Sequence, residues 1–300
     1  MKKRILILSM LIAGTSWVFA APQEPVFSVV EKEQTSYLST LKQLVSIESG
    51  SRDREGLDKI SQLIFNRLKA LGGQVEFIEP GADMYRMHDT PDRPGRMVKA
   101  EFKGAGTKKI LLIAHMDTVY LKGMLAKQPF RIDGDRAYGL GISDDKQGIA
   151  LILHTLDVLK KTKFNEYGKI TVLINGDEEI SSPAARALFS KLGAENDVTF
   201  SCEASQAKSD RIALTTAGIA AVNLNITGKA SHAGAAPELG RNALDELTFQ
   251  IQQMRDLSDP KEGIKMNWTL ATAGTNRNVI PATAFATADV SLYSKISGKK

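Results

Sequence analysis

The sequence predicts an α/β fold, in which a layer of parallel strands has helices on both faces and is followed by a smaller α+β domain. Residues 110–114 and 170–174 are short, continuous apolar runs, as in strands buried within a parallel sheet. An amphipathic helical pattern at residues 148–160 separates them, and strands alternating with helices indicate such a sheet. After about residue 216 the apolar residues alternate with polar ones, which indicates a half-exposed sheet in a second domain.

The first twenty residues have the pattern of a secretory signal peptide. A basic start at residues 2–4 precedes an apolar run at residues 5–13, and Val18 and Ala20 occupy the positions that signal peptidase reads. We expect cleavage after Ala20 and export to the periplasm or the medium. The alternative is a membrane anchor, which the run disfavours because a span needs about 20 apolar residues. The mature chain is expected to have no membrane partner.

The first domain is predicted to cover residues 21–215. Its predicted elements are, in chain order, helices at residues 38–47 and 57–71, a strand at 110–114, a helix at 148–160, a strand at 170–174, a helix at 184–192 and a strand at 198–201. Residues 21–35 are expected to be a loose N-terminus, and residues 79–96 a loop rich in Gly, Pro, Asp and Arg.

The second domain is predicted to cover residues 216–300 and to have the order β-α-β-β. Its predicted elements are a strand at residues 220–227, a helix at 242–257 and strands at 265–272 and 282–292.

Composition excludes some classes of function. The chain has 39 Lys and Arg against 34 Asp and Glu, and loss of the three basic residues of the signal peptide leaves 36 against 34. No stripe of clustered basic and aromatic residues occurs, which argues against nucleic acid as a partner. Cys202 is the only cysteine, so an internal disulfide is excluded. We interpret it as a core residue, with a zinc-ligand role as the lesser alternative.

Acidic residues and one histidine follow the predicted strands. The residues concerned are His115 and Asp117 after the first strand, Glu178 and Glu179 after the second, Glu203 after the third, and Asp144 in a strand-to-helix loop. In open α/β sheets, ligands bind beyond the carboxyl ends of the strands. Crowded carboxylates repel one another unless a cation neutralises them, and histidine with Asp and Glu suits zinc. A lone His-x-Asp or Glu-Glu pair is usually incidental, but the convergence of all these elements predicts a metal site.

Within two of these pairs, His115 with Asp117 and Glu178 with Glu179, the two residues are expected to have different roles. Asp117 is spaced to accept the second ring N–H of His115, as a residue that orients a metal ligand does. In an extended chain the adjacent Glu178 and Glu179 point in different directions. One of them can therefore bind metal while the other transfers a proton.

Several motifs resemble those of the di-zinc exopeptidase family, which includes glutamate carboxypeptidase, acetylornithine deacetylase and succinyl-diaminopimelate desuccinylase. The motifs are AHMDTVYLKG at residues 114–123, YGLGISDDK at 138–146, NGDEE at 175–179, CEA at 202–204, GKASHAGAAPELG at 228–240 and NVIP at 278–281. The resemblance extends from about residue 35 to 290, and the first and fifth motifs are closest to the glutamate carboxypeptidase branch.

The resemblance implies a role for each matching residue in a site with two zinc ions. Asp144 would bridge the ions, His115 and Glu203 would complete the protein ligands of one, and Glu179 would bind the other. Glu178 would be the general base.

The resemblance also implies roles for the second domain, which would form a homodimer. His232 would reach the partner subunit's active site and steady the oxyanion or the substrate carboxylate, and Asn278 would contact the C-terminal carboxylate region of the substrate. Without the resemblance, His232 would be interpreted as a surface histidine in a Gly/Ala-rich turn.

The sequence departs from the family pattern in two places. Family members continue for roughly a hundred residues and supply a last histidine ligand there, so we expect only one zinc to bind well to this chain. The family also has an arginine at the position of Ser291, where it pairs with the substrate carboxylate, and the resemblance ends soon after. A bidentate arginine contact is not replaced by serine.

Two classes of function follow. The resemblance implies a zinc carboxypeptidase that hydrolyses an amide bond and releases a C-terminal amino acid, with glutamate expected, from a small peptide, N-acyl amino acid or folate-like substrate. The departures leave open a truncated, non-catalytic remnant that binds zinc or dimerises. A zinc aminoacylase of other specificity is the third alternative.

Overall fold

The computed structural model describes residues 26–87, 90–205 and 212–293, so the predicted signal peptide lies outside the described residues. None of the helices in this described part combines the length and the apolar composition that crossing a bilayer requires. The chain divides into two compact units, Met1–Ala204 and Ser205–Lys300. The first unit therefore ends just after Glu203, whereas the sequence pattern put the boundary near residue 216.

The first unit is an α/β unit, which confirms the predicted fold class. Its helices are α1 (Val26–Lys32), α2 (Gln34–Val45), α3 (Arg54–Ala70), α4 (Gln147–Lys161) and α5 (Arg186–Glu195). Its strands are β1 (Gln74–Ile78), β2 (Gly95–Lys103), β3 (Lys109–His115), β4 (Arg131–Asp133), β5 (Arg136–Tyr138), β6 (Lys169–Gly176) and β7 (Val198–Ser201). The central sheet has the order β1-β2-β6-β3-β7, and β4 and β5 form a separate hairpin.

The central sheet is mixed rather than parallel throughout. β3 pairs in parallel with β6 and β7, as the sequence predicts, whereas β2 runs antiparallel to both β6 and β1. The sequence pattern did not indicate β1 or β2. β2 reads GRMVKAEFK, and its charged residues obscure a strand whose other residues are mostly buried.

Both faces of this sheet are covered because successive side chains of a strand point to opposite faces. Val172 and Ile174 of β6 pack in a cluster with apolar residues of α2, α3 and α4. Leu173, between them, packs in a second cluster with Leu111 of β3 and Leu192 of α5. The alternation places α5 on the face opposite the other helices and explains why β3 and β6 have continuous apolar sequences.

The second unit has the predicted order β-α-β-β. Its elements are β8 (Gly218–Thr227), α6 (Ala243–Gln253), β9 (Ile264–Ala273) and β10 (Thr283–Leu292), and its antiparallel sheet has the order β8-β10-β9. α6 packs on the sheet through Ala243 and Leu247, which join Ala284 and Ala286 of β10 in a small core. Its role as a dimerisation domain remains a prediction.

The predicted loose N-terminus was wrong where the structure describes it. α1 lies within residues 21–35, although none of its residues is buried. Glu33, directly after α1, is buried and accepts hydrogen bonds from Ser36 and Lys161. The hydrogen bonds of Glu33 therefore stabilise the position of this segment. A prediction from the spacing of apolar residues does not detect such polar contacts.

Candidate metal centre

The predicted acids and His115 meet where β3, β6 and β7 end. His115 is the last residue of β3 and pairs in parallel register with Asn175 of β6. β7 ends at Ser201, and Cys202 continues beside β3 through its N–H, which donates to the carbonyl of Ile113. Because parallel strands end at the same edge, residues that follow them in sequence come together in space.

His115, Asp144 and Glu203 form the centre of the cluster. His115 Nε2 lies 2.8 Å from Asp144 Oδ1 and 3.3 Å from Glu203 Oε1. One ligand atom from each of the three residues lies within 4.8 Å of the others, which is close enough to share one metal ion. His115 itself is only 1% exposed. The structure thus brings together three of the four predicted metal ligands.

Asp144 reaches the cluster from the turn Ile142–Lys146, which leads into α4. The Asp144–Asp145 peptide bond in this turn is cis. Asp145 is fully buried, and its carboxylate lies 3.4 Å from the backbone N–H of His115, which donates to it.

Glu178 and Glu179 occupy a short 3-10 turn directly after β6 and Asp177. Glu178 Oε2 lies 4.0 Å from His115 Nε2, so this carboxylate borders the cluster without being part of the group of three. The backbone N–H groups of both glutamates donate to the carboxylate of Asp117, at 3.0 and 3.1 Å. The turn is therefore held against the strand end that carries His115.

Asp117, which the sequence predicts to orient His115, lies beside the His115 ring. The nearest acceptor for Nδ1 of His115 is the backbone carbonyl of Asp117, at 3.1 Å, and Oδ1 of Asp117 is 3.4 Å away. The hydrogen-bonded partners of the Asp117 carboxylate are the two glutamate N–H groups and the hydroxyl of Ser51. No sequence motif pointed to Ser51, which lies in the loop between α2 and α3.

The pKa values of the cluster reflect crowded negative charge. Burial, reinforced by the charge of Asp144, raises the pKa of Glu179 to about 7. Burial, reinforced by Glu203, raises the pKa of Asp145 to about 8. Burial opposes the protonation of His115, but its contacts with Asp117 and Glu203 raise its pKa to about 12. The raised pKa values of the carboxyl groups indicate that this cluster would be stabilised by a bound cation.

A divalent cation fits this donor set. One imidazole nitrogen and several carboxylate oxygens are the ligands that zinc binds, and a divalent charge offsets the repulsion that raises the carboxyl pKa values. Glu179 faces an open cavity of about 430 Å³, which is also lined by residues 50–53 and 118–122.

In the second unit, the structure brings His232 and Asn278 together. The segment that carries His232 pairs with residues 278–280, and the N–H of Ala233 donates to the carbonyl of Asn278 at 2.8 Å. Nδ1 of His232 accepts the N–H groups of Gly234 and Ala235 at 3.1 and 3.0 Å. In the neutral ring the hydrogen is therefore on Nε2, and because His232 is exposed this N–H can donate to a ligand. Ser291 lies in β10.

A second group of metal-ligating types in the described part consists of Glu33, His154 and Asp157. Lys161 already serves as its cation, because Nζ bonds to Glu33 and lies 2.7 Å from Asp157. His154 contacts Glu33 through Nδ1 and Thr40 through Nε2, both at 2.9 Å. We interpret this group as an ion-pair network that joins α4 to the residues around α1 and α2.

Comparison with known proteins identifies a family. Residues 111–294 match the family described as peptidase family M20/M25/M40. Carboxypeptidase G2 of Pseudomonas sp. (strain RS-16) is 44% identical over 280 residues, which cover 93% of this chain and 65% of that protein. An acetylornithine deacetylase of Proteus mirabilis is 26% identical over 75% of this chain and 56% of its own length. The chain thus spans somewhat more than half the length of these relatives.

Solved structures of low sequence identity share the fold. The dipeptidase Dug1p of Saccharomyces cerevisiae matches 91% of this chain and 73% of its own with a TM-score of 0.71 at 15% identity. The metallo-carboxypeptidase Sso-CP2 of Sulfolobus solfataricus, of the M20 family, matches 86% of this chain and 71% of its own with a TM-score of 0.61 at 18% identity.

Proposed function

This chain belongs to peptidase family M20/M25/M40, and from that premise we propose that it is a zinc-dependent carboxypeptidase that releases a C-terminal amino acid, with glutamate expected. Its substrates would be small peptides, N-acyl amino acids or folate-like amides. The observation that carries the proposal is the group formed by His115, Asp144 and Glu203, with the Glu178 carboxylate 4.0 Å from the His115 ring. The 44% identity to carboxypeptidase G2 supports the choice of a carboxypeptidase.

The metal ligands in this proposal are residues of the first unit. His115, Asp144 and Glu203 would hold one ion, with Asp144 shared with a second ion that Glu179 would bind. When bound, the ions supply Lewis acidity toward the scissile carbonyl and toward water. The chemical type of the donors supports zinc, because they offer one imidazole nitrogen and carboxylate oxygens, with His115 buried and the two carboxylates accessible from solvent.

The proton transfers are assigned to Glu178. Its carboxylate would take a proton from the attacking water and then deliver it to the nitrogen of the leaving amino acid. Its backbone N–H is fixed on Asp117, so the carboxylate is held at the border of the metal ligands. A positioned carboxylate of this kind contributes about 10²–10⁴-fold to a rate.

The second unit is assigned to substrate recognition and to homodimer formation. Nε2 of His232 is exposed as a donor and would steady the oxyanion or a carboxylate in the partner subunit's site. Asn278 would contact the terminal carboxylate region of the substrate. The backbone pairing between the segments that carry His232 and Asn278 supports a common role in substrate recognition.

Export to the periplasm or the medium is part of the proposal and depends on the residue pattern of positions 1–20. Expression with a C-terminal tag, followed by mass spectrometry of the exported protein, tests it. We expect a mature chain that begins at Ala21, and a chain retained with Met1 would contradict export.

The proposed activity is tested by amide hydrolysis with the purified mature chain. An N-acyl-glutamate and a folate-type substrate are offered with added zinc and, separately, with a chelator. We expect glutamate release that the chelator abolishes. Glu178→Gln should lower kcat by at least about 100-fold while the zinc content is unchanged, because only the proton acceptor is lost. Glu195→Gln, on the exposed side of α5, is the matched control and should leave both unchanged.

The outcomes separate the alternatives. Release that survives the chelator would contradict metal-dependent chemistry. Zinc binding without hydrolysis, while full-length carboxypeptidase G2 is active in parallel, would favour the non-catalytic alternative.

An aminoacylase of other specificity is the second candidate. The likeness to acetylornithine deacetylase and the serine at position 291 favour it. Hydrolysis of N-acetylornithine faster than of the N-acyl-glutamate would select this candidate.

A further inference from the structure

A buried polar contact joins the loop before α3 to the candidate metal centre. Ser51 is 8% exposed and Asp117 is 0% exposed. The Ser51 hydroxyl donates to Oδ2 of Asp117 at 2.8 Å. Glu179 N–H donates to the same oxygen, and Glu178 N–H donates to Oδ1. All three donors thus converge on one buried carboxylate.

Ser51 is itself fixed by the backbone. Its N–H donates to the carbonyl of Thr118 at 3.1 Å, and the N–H of Thr118 donates to the carbonyl of Ser49 at 2.9 Å. A β-carbon on Gly50 would lie 2.3 Å from the carbonyl oxygen of Tyr120, so a side chain there would push the two segments apart. The backbone pairing of residues 49–51 with Thr118 therefore fixes the position of the Ser51 hydroxyl beside Asp117.

The hydroxyl matters because a buried carboxylate needs its donors. Hydrogen bonds to an ionised group are stronger than those between neutral groups, and an unfilled acceptor in a buried site is costly. Without the Ser51 hydroxyl, Oδ2 would lose one of the two donors that it has within the described residues, and the N–H of Glu179 would remain. The Asp117 carboxylate could then rotate, and the turn that carries Glu178 and Glu179 would lose its fixed anchor.

We propose that Ser51 is a positioning residue of the metal centre: its hydroxyl fixes the Asp117 carboxylate, which fixes the Glu178–Glu179 turn at the ends of β3 and β6. In this proposal Ser51 acts through Asp117, the carboxylate to which its hydroxyl donates. The catalytic consequence rests on the proposed function, whereas the metal-binding consequence is measured without substrate.

Zinc affinity tests the proposal in the mature chain. Ser51→Val and Ser51→Thr differ only in the hydroxyl that donates to Asp117, and Ser51→Ala removes it with less change of shape. We expect Val and Ala to weaken zinc binding by about 10-fold, as loss of an outer hydrogen bond to a metal site does, and Thr to retain the parent affinity. Titration against a competing chelator measures this difference, and the visible spectrum of the Co²⁺-loaded protein reports whether the ligand geometry changes.

Ser49→Ala is the matched control. Ser49 lies two residues away in the same loop and is 1% exposed, and its hydroxyl has no hydrogen-bond partner within the part of the chain that the structure describes. We expect its affinity and its cobalt spectrum to equal those of the parent. If the chain hydrolyses amides, Ser51→Val should also lower kcat more than it changes KM.

Three outcomes would overturn the proposal. Parent-like affinity and cobalt spectrum in Ser51→Val and Ser51→Ala would show that the hydroxyl does not position the centre. An equal loss in Ser49→Ala would show that the loop responds to any buried change. Unfolding of both Val and Ala by circular dichroism, with a folded Thr variant, would assign the hydroxyl to the fold. Absence of hydrolysis in all variants, with the expected affinity differences, would contradict only the proposed function.

Discussion

In the first unit β3 and β6 are packed on both faces, whereas none of the ten residues of β8 in the second unit is buried. The same contrast holds for the candidate functional residues. His115 meets acids that are 29 and 88 positions away in sequence. His232 is oriented by N–H groups only two and three positions away. Metal binding therefore depends on the whole fold of the first unit, and the orientation of His232 depends on one loop.

The largest expected effect is on zinc affinity, and it tests the contrast between His115 and His232. His115→Ala removes the only nitrogen donor of the proposed centre and should weaken zinc binding by more than about 100-fold, since even outer-shell losses reach 10- to 100-fold. His232→Ala should leave zinc affinity unchanged, because in the part of the chain that the structure describes its ring is hydrogen-bonded by its own loop. Titration against a competing chelator measures both. Equal losses in the two variants would mean that His232 takes part in holding the metal.

The second-largest expected effect is on the free energy of unfolding, in two variants that compare the sheet of the first unit with that of the second. Ile174 of β6 is 0% exposed, and Leu270 of β9 is 44% exposed. Ile174→Ala should lower the free energy of unfolding by about 2–5 kcal/mol, because it leaves a cavity in a close-packed core. Leu270→Ala should cost less than about 1 kcal/mol, because much of that side chain already contacts water. Urea denaturation of each variant measures the difference, and a Leu270→Ala cost as large as that of Ile174→Ala would break the comparison.

The same contrast explains what could be predicted from sequence. Buried strands of a parallel sheet are continuously apolar, so residues 110–114 and 170–174 were recognisable, and the rule that ligands bind at strand ends then located the acids. β2 was missed because its charged residues extend to the surface: Lys99 pairs with Glu76 and Glu101. A strand is defined by its partners, and the partners of β2 are not visible in a local pattern.

Contacts between distant segments were the least predictable part of the centre. The grouping of His115 with Asp144 and Glu203 followed from topology, whereas the bond from Ser51 to Asp117 joins residues 66 positions apart with no motif at one end. Position along a strand can be predicted from periodicity, but the partner of a loop hydroxyl depends on how the loop packs. The roles assigned to these residues remain predictions until the variants are measured.

The smallest expected effect concerns the partly buried ion pair between Lys161 and Glu33 in the first unit and an exposed hydrogen bond in the second. The hydrogen bond from Lys161 holds the pKa of Glu33 at about 2, below its ordinary value of 4.5. Lys161→Met should therefore cost about 1–2 kcal/mol at pH 7, less than for a fully buried pair because Lys161 is 47% exposed. Gln250→Ala, which removes an exposed bond to Glu246 on α6, should cost at most about 0.5 kcal/mol.

The pH dependence distinguishes the ion pair from simple loss of packing. Because the pKa of Glu33 is lower in the folded chain than in the unfolded chain, its contribution to stability is complete above about pH 4.5 and is lost as the pH falls toward 2. The difference in unfolding free energy between the parent and Lys161→Met should therefore shrink between pH 5 and pH 3. A Lys161→Met difference that is independent of pH would contradict a stabilising charge interaction between Lys161 and Glu33.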